Sequence, residues 1–274
     1  MPELPEVETV VRGLQAAGLP GCRIAAAKVY WPPLVQPLSP RAFERRLRGT
    51  RIRDVERRAK YIIFRLDPPL VLLVHLRMTG QFNLADAAEL PAPHQHLALW
   101  LDDGRILQYR DTRKFGRWRL TETPDDILSA LGPEPLDAAF RWTDLYRRMQ
   151  HSSRRLKPLL LDQTFLAGLG NIYVDEALWL ARLHPCRSAA DLTQDQARQL
   201  YRAIRRVLRQ GIRHGGTTLG EGLGNFNSLN GRGGNREKLQ VFQRAGRPCP
   251  RCGQDITRMR VAQRGTHICP SCQT

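Results

Sequence analysis

A chain of 274 residues with 43 lysines and arginines against 26 acidic side chains has a formal charge of +17 and is long enough for two domains or one large one, with ample material for cores. Its 42% hydrophobic content excludes a disordered polyelectrolyte, and a folded protein this basic is matched to a polyanion, nucleic acid first. No stretch approaches the ~20 apolar residues that span a bilayer. The acidic start also lacks the basic-then-apolar order of a secretory leader, so a cytoplasmic or nucleoid-associated place and no membrane partner are expected.

The chain opens Met1-Pro2-Glu3-Leu4-Pro5-Glu6. With Met1 removed, Pro2 presents a secondary amine beside a carboxylate, Glu3. Such an amine, on attacking an aldehyde-like carbon, gives an iminium with no N–H to lose, a covalent electron sink at neutral pH. Alternatively, the two prolines simply begin a helix, where the first turn tolerates them. Residues 4–19 do read as an amphipathic helix, with Val7, Val10, Val11 and Leu14 on one face.

From about 22 to 120 the pattern becomes short apolar runs broken by Pro, Gly and Asp. Strands are expected at Ile24–Tyr30, Tyr61–Leu66, Leu70–Leu76, Leu97–Leu101 and Ile106–Tyr109, with Asp102-Asp103-Gly104 as a hairpin turn. Strands at this spacing imply a β-sandwich or barrel. Gly132-Pro133-Glu134-Pro135 reads as a linker. Helices are then expected over roughly 141–151, 157–162, 171–182 and 194–213. The last begins with a capping box, Thr193 and Gln196, and carries an apolar stripe through Ala197, Leu200, Ile204, Val207 and Leu208. Arg198, Arg202, Arg205, Arg206 and Arg209 occupy its other face. Residues 215–235 hold eight glycines and four asparagines, a slack linker or a lid.

Cys249, Cys252, Cys269 and Cys272 form two C-x2-C knuckles sixteen residues apart, the spacing of a tetrahedral zinc site. A small ribbon is expected around them, with a strand at Lys238–Gln243 and a hairpin tip near Gln263-Arg264-Gly265-Thr266. Four thiolates close the shell, so one structural zinc, taking no part in chemistry, is expected. The fold class is therefore α+β and multidomain: an N-terminal β-sandwich with a leading helix (1–132), a helical domain with the glycine-rich loop 215–235 (133–237), and a zinc ribbon (238–274).

Several motifs in order carry a resemblance: Pro2-Glu-Leu-Pro-Glu-Val-Glu-Thr9, Arg58-Ala-Lys-Tyr61, His75-Leu-Arg-Met-Thr-Gly80, Asp111-Thr-Arg-Lys-Phe-Gly116, Gly168-Leu-Gly-Asn171 and the four-cysteine end with Arg264. Along essentially its whole length the chain resembles the Fpg/Nei family of bifunctional DNA glycosylases, on its formamidopyrimidine side. The resemblance implies a helix–two-turn–helix arrangement around Asn171, and an enzyme acting as a monomer on double-stranded DNA that holds oxidised bases or abasic sites. It would excise oxidised purines and nick the strand by β,δ-elimination. Pro2 would be the nucleophile, Glu3 the acid/base, Glu6 their support, Lys60 a phosphate ligand and proton-transfer aid, and Arg264 a phosphate clamp. His94, Arg113, Lys157 and Asn171 would grip the backbone, and Met78, Arg113 and Phe115 would fill the gap left by the flipped base. Thr112 replaces the family's usual proline, and the Asn- and Gly-rich loop sits where relatives cover that base. Two alternatives remain open at this level: an endonuclease VIII-like enzyme for oxidised pyrimidines, and a non-enzymatic zinc-ribbon binder of nucleic acid.

Overall fold

The computed structural model describes residues 2–86, 92–222 and 224–274, which fall into two compact units, Met1–Leu128 with His214–Gly234 and Ser129–Arg213 with Asn235–Thr274.

The first unit starts with α1 (Leu4–Ala16), whose Val7, Val10, Val11 and Leu14 enter the core. It stops three residues short of the expected end because Gly18 (φ +73°) reverses the chain and Leu19 N–H returns to Leu14 O at 3.2 Å, a glycine-terminated helix end. Two four-stranded antiparallel sheets follow, in the orders β1-β6-β7-β5 and β2-β3-β4-β8. The strands are β1 (Ile24–Val29), β2 (Asp54–Arg58), β3 (Tyr61–Arg65), β4 (Val71–His75), β5 (Gly80–Asp86), β6 (Gln95–Leu101), β7 (Arg105–Asp111) and β8 (Arg117–Thr121), with α2 (Pro40–Leu47) after β1. Leu97, Leu99, Leu107 and Tyr109 of one sheet meet Val55, Ile62, Phe64, Leu72, Val74 and Trp118 of the other. The near-continuous apolar run of β3 has a reason: Ile63 faces outward with Leu73 and Val71, under Ile127 and Leu128 of α3 (Asp125–Leu128). Strands β2, β5 and β8 and helix α2 carry too few apolar residues to be read from pattern alone. In β2 only Val55 is buried.

The glycine-rich segment differs from the expected arrangement, in which it belonged to the helical domain. It packs with the sandwich because Phe226 and Leu229 join the sandwich core. Its two ends are laced together by Gly234 N–H to His214 O (2.9 Å) and Gly233 N–H to Thr218 Oγ1 (2.9 Å).

The second unit holds α4 (Trp142–Gln150), α5 (Leu156–Leu161), α6 (Asn171–Leu180), α7 (Gln194–Arg213), and the hairpin β9 (Thr257–Val261) with β10 (Arg264–Ile268). The α7 capping box is made in both directions, Thr193 N–H to Gln196 Oε1 at 3.0 Å and Gln196 N–H to Thr193 Oγ1 at 3.3 Å, and the whole apolar stripe of α7 is buried. The strand expected at Lys238–Gln243 is absent. A 3-10 turn occupies Asn235–Lys238, and the N–H groups of Gln240, Val241 and Phe242 all converge on the Glu176 carboxylate. Three successive donors aimed at one anion make a concave nest, whereas a strand points them alternately. Among the described residues no helix is long and apolar enough to cross a membrane.

Candidate active site and metal centre

At the start of α1, Pro2, Glu3 and Glu6 are all buried. Glu3 is the residue before the first helical turn, and its backbone N–H donates to Glu6 Oε2 at 2.9 Å. The other oxygen of the same carboxylate, Oε1, accepts from Thr217 N–H at 2.8 Å. One buried side chain thus fixes both the N-terminal Pro2-Glu3 stretch and the root of the glycine-rich loop. A second acid on α1, Glu8, bonds Arg57 of β2 and Arg12, each at 2.8 Å. Burial acts to raise the Glu8 pKa, but the two guanidinium groups prevail and hold it below the usual glutamate range.

Lys60 sits in the two-residue turn between β2 and β3, after Ala59 at φ +52°, and is buried. Beside it His75 closes β4, paired in register with Tyr61 and meeting that ring edge-on at 4.9 Å. Burial, with the positive charges of Arg77 and Lys60, drives the His75 pKa down to about 3. The imidazole is therefore neutral, its Nδ1 accepting from Arg77 N–H at 3.0 Å.

The two turns expected to fill a vacated base stack do reach the surface. Met78 is half-buried in the β4–β5 turn, and Phe115, which composition alone would place in a core, is 46% exposed. The Arg113 guanidinium lies over the Phe115 ring, 4.6 Å from its centre, a cation–π contact that pre-orders both. Exposed His94 stands next to them at φ +62°, its carbonyl accepting from Asp111 N–H at 3.0 Å.

In the second unit, Asn171 opens α6 after the Gly168-Leu-Gly170 turn, and its Nδ2 donates to Gly265 O at 3.0 Å. Arg264, exposed, is the first residue of β10, directly after a tight turn at Ala262 (φ +44°) and Gln263 (φ +62°). Two non-glycine residues in the left-handed region cost on the order of 1–2 kcal/mol each, strain typical of functional turns. Lys157 departs from its expected place. Instead of facing a phosphate, its side chain is wholly buried, with Nζ 2.6 Å from Asp175 Oδ1 and 3.1 Å from Gly265 O. A cation at that depth, already bonded, orders the Arg264 hairpin from beneath. Asp175 completes the clamp by accepting from His267 N–H at 2.9 Å. The sequence carried a signal for this: Asp175 and Glu176 are two acids in a helix buried almost throughout from Ile172 to Trp179, and a buried acid is there to be paired.

Cys249, Cys252, Cys269 and Cys272 place their sulfur atoms within 4.8 Å of one another. A tetrahedral tetrathiolate zinc with bonds near 2.3 Å separates its sulfurs by about 3.8 Å, so the four fit one closed site. Trp179 Nε1–H donates to Cys249 Sγ at 3.4 Å, and Arg251 lies over the indole at 4.2 Å, outer-shell contacts of the kind that fix a ligand's orientation.

Three family models match in order: the formamidopyrimidine-DNA glycosylase N-terminal domain over residues 1–118, its H2TH domain over 131–221, and a zinc finger found in FPG and IleRS over 246–274. The chain belongs to the formamidopyrimidine-DNA glycosylase family. Among its curated relatives, the formamidopyrimidine-DNA glycosylases of Protochlamydia amoebophila and Herpetosiphon aurantiacus are 44% and 46% identical, covering 100% of this chain and 99% and 100% of theirs. Among solved structures, the Lactococcus lactis Fpg in complex with a DNA containing N7-benzyl-Fapy-dG matches over 100% of both chains, with 37% identity and a TM-score of 0.91. The complex of that enzyme with an abasic-site DNA matches over 99% of both, at 36% identity and a TM-score of 0.91. The family relationship spans both compact units and the four-cysteine end, and the zinc is structural.

Proposed function

We propose that this chain is a base-excision-repair DNA glycosylase and AP lyase for oxidised purines, 8-oxoguanine and formamidopyrimidines, in duplex DNA, working in the cytoplasm at the nucleoid. The observation that carries this is the Pro2-Glu3 pair, buried and tied through Glu6, in a family member matched along its whole length by relatives named formamidopyrimidine-DNA glycosylases. Once Met1 is removed, the Pro2 nitrogen attacks C1′ of the everted nucleotide, the base leaves with the C1′–N electron pair, and the proton the Pro2 nitrogen gives up neutralises the departing base. Glu3 passes a proton to the sugar ring oxygen as the ring opens, leaving a Pro2 iminium. The iminium acidifies the C2′ proton, whose loss expels the 3′ phosphate; loss of a second sugar proton expels the 5′ phosphate, and water then returns Pro2 as free amine.

The other roles follow the chemistry of each position. Lys60 and Arg264 supply positive charge for phosphates flanking the lesion, and Asn171 presents a helix start suited to the same group. Arg113, Phe115 and Met78 occupy the space the everted base leaves, offsetting an unstacking cost of a few kcal/mol. Zinc holds the knuckles so that the Arg264 turn keeps its shape.

Borohydride trapping on a duplex holding 8-oxoguanine opposite cytosine tests the proposal. The mature protein, shown by intact mass to begin at Pro2, is expected to form a covalent adduct that Pro2→Gly loses. Equal trapping by Pro2→Gly removes Pro2 as the nucleophile. Faster excision of thymine glycol than of 8-oxoguanine replaces the purine substrate with a pyrimidine one. Absence of any adduct on both substrates and on abasic duplex reduces the chain to a binding module.

A further inference from the structure

Asp111 closes β7 and is buried at 1% exposure, yet it plays no part in the steps above. Its bonding shows what it holds. Oδ1 accepts from the Thr79 hydroxyl and from Arg113 N–H (3.1 Å), and Oδ2 accepts from Gly116 N–H (2.8 Å). Its backbone is engaged as fully: N–H to His94 O at 3.0 Å, and the carbonyl against His96 Nε2 at 2.8 Å. Thr79 follows Met78 directly, while Arg113 and Gly116 bracket Phe115. A single carboxylate therefore ties the Met78 turn to the Arg113–Phe115 turn and, through its own backbone, to His94.

The packing behind it is equally tight. The Tyr109 hydroxyl stands so close to Gly80 and Gly116 that a Cβ on either would lie 2.3 Å and 1.8 Å from it. Neither turn accepts a side chain at its glycine unless Tyr109 moves. Burial, and the Asp111 carboxylate nearby, push the Tyr109 phenol well above the ordinary tyrosine range, so it stays a neutral wedge. A charged acceptor bonded by three donors is stronger than a neutral one, and close packing lets such a junction transmit displacement rather than absorb it.

We infer that Asp111 is a positioning residue that couples the two void-filling turns, so that Met78, Arg113 and Phe115 enter the duplex as one rigid group. The inference rests on the void-filling role proposed above. Asp111→Asn keeps the size but sets an NH2 against one of the donors, freeing either the Gly116 or the Thr79–Arg113 side. Thr79→Val releases the Met78 turn alone.

The test compares both variants with Phe115→Ala and Met78→Ala on two substrates. One is a duplex with 8-oxoguanine and a neighbouring 2-aminopurine reporting base opening; the other is single-stranded abasic DNA, which has no gap to fill. A misplacement of about 1 Å costs on the order of 100-fold, so Asp111→Asn is expected to lower kcat on the duplex by roughly 10- to 100-fold. The 2-aminopurine signal should slow in step, and Thr79→Val should give a smaller loss. Borohydride trapping on single-stranded abasic DNA should stay within about twofold for Asp111→Asn and Thr79→Val, and on the duplex Asp111→Asn with Phe115→Ala should be no worse than Asp111→Asn alone. Wild-type duplex excision by Asp111→Asn, with Phe115→Ala impaired, overturns the coupling and leaves the proposed function standing. An equal loss by Asp111→Asn on the single strand overturns it too, marking a general folding role. Normal duplex excision by both Phe115→Ala and Met78→Ala defeats the void-filling role itself.

Discussion

Asp175→Asn removes the carboxylate from Lys157 while leaving an acceptor of the same shape for His267 N–H. Both side chains of the pair are at 0% exposure with 2.6 Å between Nζ and Oδ1. At an effective dielectric of about 20, unit charges at that separation attract by about 6 kcal/mol. The variant leaves the ammonium two options, to remain charged in the interior or to release its proton. Release at pH 7, from an ordinary lysine pKa of about 10.4, costs about 5 kcal/mol, which caps the loss. Breaking one side of a buried pair typically costs about 3–5 kcal/mol, so a loss in that range is expected. The pH dependence identifies the cause. In the variant the folded state disfavours the charged lysine, so the unfolded chain binds more protons and stability rises with pH toward the unfolded lysine range. The deficit should begin to shrink once pH passes the lowered folded pKa of the lysine, by up to about 1.4 kcal/mol per pH unit, and so be smaller at pH 9 than at pH 7. Urea titrations at pH 7, 8 and 9, following zinc release to a chromogenic chelator, read the second unit directly. Lys157→Met with Asp175→Leu is the comparator: no bare charge remains, the Gly265 carbonyl keeps its Asn171 Nδ2 donor, and His267 loses the carboxylate from both its N–H and its Nδ1, a donor left unsatisfied costing about 1–3 kcal/mol. A deficit below about 1 kcal/mol, or one unchanged between pH 7 and 9, refutes the buried-charge account.

Four further outcomes are expected. Because folded His75 refuses a proton until about pH 3 while an unfolded histidine accepts one near 6.5, wild type should lose stability as pH falls from about 6.5 toward 3. His75→Gln should flatten that slope in Tm measured at pH 7 and 5, and parallel slopes would contradict it. Gly116→Ala should destabilise the first unit by about 1–3 kcal/mol through overpacking against Tyr109, and adding Tyr109→Phe should recover part of it in chemical denaturation. Stripping zinc with a chelator, verified by metal analysis, should abolish duplex binding in gel-shift titrations; full binding by metal-free protein would show that the Arg264 turn does not depend on the knuckles. Arg264→Ala should reduce the slope of log affinity against log salt by about 0.9, one phosphate contact, and an unchanged slope places Arg264 away from the backbone.

Much of this chain was legible because its signals are local. The four cysteines declare themselves by spacing, the α7 helix by its cap and apolar stripe, and Pro2-Glu3 by an unusual pair at the start. Where apolar periodicity is strong, as in α1 and α7, the expected element matches the observed one within a few residues. Where an element is an edge or outward-facing, as in β2 and β8, few apolar side chains mark it, and it escapes such reading. The expected strand at Lys238–Gln243 failed for a different reason: an apolar alternation is equally served by a nest closed on Glu176, an acid 64 residues away in the chain.

The sequence by itself determined the materials available: a proline beside an acid, four cysteines at the spacing of a tetrathiolate site, a strongly basic chain, and a family of DNA glycosylases. Only the tertiary structure decided which charged groups are buried and what they hold in place. Lys157 reads as one more phosphate-seeking cation until its burial against Asp175 makes it the floor of the Arg264 hairpin. The glycine-rich segment reads as a linker until Phe226 and Leu229 enter the sandwich core and Glu6 takes its Thr217 N–H. Asp111 carries no sequence signal of its own beyond its place in a motif. These roles depend on partners brought together from distant parts of the chain, and on burial, which sets whether a charge faces water or must find its counterpart inside.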